Sequence, residues 1–71
     1  MGDHVQLRDM LSRFENSEIV KIVTERGAEF GISTVKYWLT DSFRHKYDGL
    51  SGRESVLKVD ITGYCPVIYV A

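Results

Sequence analysis

Cys65 and His45 are the thiol and imidazole that could form a nucleophile and base, with Asp41 or Asp48 to orient the ring. The thiolate is the reactive form, and it needs a helix N-terminus or neighbouring cations to lower its pKa. Cys65 follows Gly63-Tyr64 with neither nearby in sequence, so it reads as an inert, half-buried cysteine. His4, His45 and the carboxylates recur at no recognised ligand spacing, and no metal or cofactor is expected. Arg44-His45-Lys46, close to Tyr37 and Tyr47, could hold phosphates or single-stranded nucleic acid. Cations in the last turn of a helix also meet its dipole favourably, and that is the preferred reading here. The glycines do not make a phosphate loop; Gly27, Gly49, Gly52 and Gly63 read as turn residues, and Gly31 as a close backbone approach within a strand.

These residues are held by a short series of elements. Leu7, Met10, Leu11 and Phe14 repeat at i, i+3, i+4 and i+7, which predicts an amphipathic helix over residues 4–15, with Asp3 as its cap and Asn16-Ser17 as its stop. Residues 18–24 and 28–33 read as strands around Glu25-Arg26-Gly27, a three-residue loop with glycine at its left-handed position. Pairing Thr24 with Ala28 sets Ile22 opposite Phe30 and Val20 opposite Ile32. A second helix is predicted over residues 34–47 from Val35, Trp38, Leu39, Ser42 and Phe43. Thr34 or Ser33 would cap it, and Gly49 would close it with Leu50 as the hydrophobic contact. Gly63-Tyr64 suits a two-residue type II′ turn, which sets Ile61 opposite Pro66, Val59 opposite Ile68 and Leu57 opposite Val70.

The expected architecture is a single α+β domain over residues 1–71, in the order α-β-β-α-β-β, with a four-stranded antiparallel sheet and both helices on one face. Val20, Ile22, Phe30, Ile32, Leu57, Val59, Ile61, Ile68 and Val70 should then pack on Leu7, Leu11, Phe14, Trp38 and Leu39. Trp38 is expected in the core because it shares a stripe with Val35 and Leu39. The opposite face carries Ile19, Lys21, Val23, Glu29, Gly31 and Ser33 from the first hairpin and Val56, Lys58, Asp60, Thr62, Cys65, Val67, Tyr69 and Ala71 from the second, and is only half polar. A solvated antiparallel face alternates more cleanly, so Ile19, Val23, Lys58, Val67 and Tyr69 are the candidate protein-binding residues.

With 71 residues, the chain buries only roughly 60% of the surface it exposes when unfolded. One cysteine rules out an internal disulfide, so self-association is the expected supplement to the core, and a homodimer the second reading of the half-apolar face. Nine basic against ten acidic residues give a net charge of −1, which favours neither nucleic acid nor an anionic membrane. No run has the length of a membrane span or a signal core, and a cytoplasmic location is expected.

Leu7-Arg8-Asp9-Met10-Leu11-Ser12-Arg13-Phe14, then Glu18-Ile19-Val20-Lys21-Ile22-Val23, Val35-Lys36-Tyr37-Trp38-Leu39 and the ending Val67-Ile68-Tyr69-Val70 make a segment order that resembles small uncharacterised proteins encoded by phages and prophages. The resemblance implies a phage origin and the host cytoplasm. It also implies a mode of action, since such proteins often bind and block a host protein, including defence enzymes. It transfers no site residue. The expected function is therefore a non-enzymatic protein-binding module, an inhibitor of a host factor, with a self-assembling structural or accessory subunit as the alternative and nucleic-acid binding disfavoured.

Overall fold

In a computed structural model, which describes residues 5–71, the chain forms helix α1 (Leu7–Leu11), strands β1 (Ile19–Thr24) and β2 (Glu29–Thr34), a π-helix (Tyr37–Ser42) running into α2 (Phe43–His45), and strands β3 (Val56–Asp60) and β4 (Val67–Val70). The fold is α+β, with a four-stranded sheet in the order β2-β1-β4-β3. The sheet is mixed rather than antiparallel: β1 pairs with β2 and β4 with β3 antiparallel, but β1 and β4 lie side by side in parallel. Two features account for this. β1 and β4 carry the most continuous apolar runs and take the centre, where both of their edges are paired. The helical stretch at residues 35–45, about 15 Å long at the usual rise, returns the chain from the Thr34 end of β2 to the opposite end of the sheet. There Val56 opens β3 beside Val70, so β4 must run with β1.

The helical elements depart from the α-β-β-α-β-β expectation in extent and winding. α1 is one short helix of 5 residues, and its first two amides, Leu7 N and Arg8 N, donate to Glu54 O (2.8 Å) and Gly52 O (2.9 Å). The expected cap Asp3, like His4, lies outside the described residues. In the second helical stretch Thr34 is the cap, accepting from Tyr37 N at 3.2 Å. The middle of this stretch is π-wound, and that explains its blurred stripe. Residues five apart now share a face: Phe43 N donates to Trp38 O, the Trp38 and Phe43 rings lie 6.3 Å apart, and Tyr37 and Ser42 reach the same carboxylate. The helix ends earlier than expected, at His45, where Lys46 takes the left-handed conformation (φ 56°).

Leu7, Leu11, Val35, Trp38, Phe43 and Leu50 pack on Val20, Ile22, Val56, Ile68 and Val70 to make the core. Trp38 is 1% exposed and its Nε1 donates to Val20 O at 3.0 Å. Beneath it Gly31 has φ +150°, and a Cβ there would lie 3.4 Å from the indole, so the expected close approach at this glycine is real.

Register corrects three expected core positions, Ile32, Leu57 and Ile61, and three expected on the opposite face, Gly31, Ser33 and Val56, which pair with the core residues Ile22, Val20 and Val70. Thr24 N donates to Ala28 O at 2.8 Å, as the turn predicts, but a bulge at Phe30 shifts the pairing. Ile22 faces Gly31, Val20 faces Ser33, and Ile32 turns to the opposite face with 53% of its surface exposed. In the second hairpin Val59 faces Ile68 as expected, but a bulge at Leu57 brings Val56 against Val70 and leaves Leu57 exposed. The type II′ turn does not form. Gly63 has no positive φ, and residues 61–66 make an open loop with Ile61 71% exposed. Phe30, like Phe14, Leu39 and Val59, is half-buried and packs against the core as expected.

Candidate interaction surface

The face of the sheet away from the helices collects Ile19, Lys21 and Val23 from β1, Ile32 and Thr34 from β2, Val67 and Tyr69 from β4, and Lys58 and Asp60 from β3, because directly paired residues point to the same side. All five candidate residues, Ile19, Val23, Lys58, Val67 and Tyr69, fall on it. Their accessibility differs. Ile19 is 53% exposed, Val67 and Tyr69 are half-buried, and Lys58 is exposed. Val23 is only 3% exposed and so offers almost no surface to a partner.

Charge on this face is paired locally. Lys21 Nζ meets Glu29 Oε1 at 2.7 Å, and this hydrogen bond raises the Lys21 pKa above its ordinary value. Lys58 Nζ sits 4.5 Å from the centre of the Tyr69 ring, a cation over an aromatic face. The apolar groups Ile19, Ile32, Val67 and Tyr69 therefore surround Lys21, which lies between Ile32 and Val67, while Lys58 sits on the outer strand β3 over Tyr69.

Next to this surface stands the loop at residues 61–66. Asp60 Oδ1 accepts from Thr62 N (2.9 Å) and Thr62 Oγ1 (2.6 Å), and these bonds stop β3 and hold the Asp60 pKa below its ordinary value. At the loop's other end Pro66 O accepts from Lys21 N at 3.0 Å. Between these two anchors Ile61 and Tyr64 project into solvent. Sequence reasoning missed both. The available signal was Asp60 two residues before Thr62, the spacing of a local side-chain turn.

The possible catalytic groups are held by other contacts. His45 stacks on Tyr47 at 5.0 Å, while Cys65 lies half-buried near Glu18, Ile19 and Tyr64. Asp48 accepts from Tyr37 Oη (2.8 Å) and from the fully buried Ser42 Oγ (2.7 Å), which closes the turn after α2 and raises the Tyr37 pKa. Arg44, His45, Lys46 and Tyr47 are all exposed at the helix end. Among the described residues no three His, Cys, Asp or Glu side chains converge, and no helix is long and apolar enough to cross a membrane.

Comparison with protein-family models, with curated proteins and with solved structures finds no match.

Proposed function

We propose that this chain is a small non-enzymatic protein-binding module that presents the helix-free face of its sheet to a protein partner. The observation that carries this reading is the exposed apolar surface around Lys21: Ile19 and Ile32 are each 53% exposed and share with Val67 and Tyr69 a face that no helix among the described residues covers. Aromatic and apolar groups in such a patch dominate interface energetics, and the charged groups beside them set orientation. Blocking of a host protein is the form of binding that the phage-like segment order implies.

The test is a capture experiment with three baits: the wild type, the Val67→Ala/Tyr69→Ala double variant, and Lys36→Ala on the helix side as a control for folding and handling. A protein retained by the wild type and the Lys36 variant but lost from the double variant supports this reading. Equal retention by all three baits places binding elsewhere and overturns it.

A further inference from the structure

The pairing register lays out the helix-free face in rows. Ile32, Lys21, Val67 and Asp60 lie side by side from β2 across to β3, and Glu29, Val23, Tyr69 and Lys58 make the next row toward the Thr24 end. These two rows hold two lysines and two carboxylates, so their charges cancel. In the second row the outer strands carry opposite signs at the same level, Glu29 on β2 and Lys58 on β3. In the first row Lys21 and Asp60 stand on either side of Val67. A partner with a net charge of either sign would meet like and unlike charges in equal number. Turned over onto itself about an axis that runs along the strands between β1 and β4, the face instead places an opposite charge nearest to each of its own.

We propose that the occupant of this face is a second copy of the chain, packed sheet on sheet about that two-fold axis. β2 of one copy then lies over β3 of the other, which sets Glu29 against Lys58 of the second copy and Lys58 against its Glu29. Asp60 comes within one strand spacing of the second copy's Lys21, and Val67 and Tyr69 flank the axis, where the other sheet screens them from water. Sheets stacked in this way stand about 10 Å apart with their strands nearly aligned. The face measures about 19 by 20 Å at the usual strand spacing and rise. That size puts the dimer at the weak end of specific interfaces and leaves the face open in dilute solution. The dimer rests on the reading of this face as a protein-binding surface and gives that surface its partner.

Sedimentation equilibrium from about 10 µM to about 1 mM, the range suited to weak contacts, should show the wild type gaining mass from 8.1 kDa toward twice that value. Glu29→Lys and Lys58→Glu each set like charges face to face at two places, and each alone should stay monomeric where the wild type associates. Far-UV circular dichroism checks the fold, and Lys58 is exposed on an outer strand, so its reversal leaves the core untouched. Mixed together, the two variants restore both ion pairs and should form a one-to-one dimer, as should the double variant with itself. Val67→Ala/Tyr69→Ala should be monomeric. A wild type that stays monomeric throughout overturns the proposal, and the capture experiment then decides by itself whether the face binds a different protein. Association that survives Lys58→Glu, or a mixture of the two charge variants that stays monomeric, means that the copies do not meet through these rows and overturns it as well.

Discussion

The two hairpins begin from similar sequence cues and end differently. In the first, Gly27 takes φ +90°, Thr24 closes the loop through both its backbone and its hydroxyl, and three residues suffice for the turn. In the second, Gly63 keeps a negative φ and the strands part after Asp60, leaving six residues outside the ladder. The flanking residues make the difference. A tight turn needs amides free to pair across it, whereas Asp60 draws both the amide and the hydroxyl of Thr62 into a local side-chain turn. A glycine at a turn position therefore permits the turn without imposing it.

The first hairpin is also held from the helix side, since Trp38 lies on Gly31 and donates to Val20 O. Trp38→Ala should have the largest effect, about 3–5 kcal/mol of a total that is roughly 4–11 kcal/mol for this length. Thermal melts followed by far-UV circular dichroism should show loss of most of the cooperative transition. Trp38→Phe should fall between this variant and the wild type, because it keeps a ring but leaves Val20 O without its donor.

Gly27→Ala comes next. Nothing lies within 4 Å of the added Cβ, so the cost is that of the left-handed backbone alone, about 1–2 kcal/mol. In a domain of this size each kcal/mol lowers Tm by about 4–8 °C. Asp60→Asn should cost less than Gly27→Ala and should depend on pH. The folded Asp60 titrates below its ordinary value of 3.8, so its contribution is complete above that value and is lost as pH falls through the folded pKa. Denaturant midpoints of variant and wild type should therefore converge below pH 3.8. Gly63→Ala should have the smallest effect, neutral to about 1 kcal/mol stabilising, because an ordinary φ lets alanine restrict the unfolded chain without strain. A marked loss of stability at Gly63 would mean that the second turn resembles the first after all.

Much of this fold was legible from local chemistry. The loop at Gly27, the pairing of Val59 with Ile68, the burial of Trp38 and the grouping of Ile19, Val23, Lys58, Val67 and Tyr69 on one face all follow from period-two alternation or turn preference. The rest depended on long-range geometry. Parallel pairing of β1 with β4 is set by where the helical stretch delivers the chain, which no window of residues 67–70 contains. The bulge at Phe30 goes with Gly31 at φ +150°, a backbone conformation that side-chain alternation does not register. The π turn is set by Asp48, which gathers two hydroxyls from positions five apart, whereas the search was for spacings of three and four. Of the surface, Ile19, Val67 and Tyr69 could be read in advance, but Ile32, Ile61 and Tyr64 could not, because one bulge and one open loop decide where they point.

The bulges at Phe30 and Leu57 both fall on the outer strands, β2 and β3. An outer strand with an unbroken row of amides and carbonyls is a template on which further strands can add without limit. Here each row is interrupted by a residue out of step, and the local twist that accompanies a bulge turns the flanking groups away from a straight incoming strand. Both borders of the sheet are thereby blunted against the addition of a further strand.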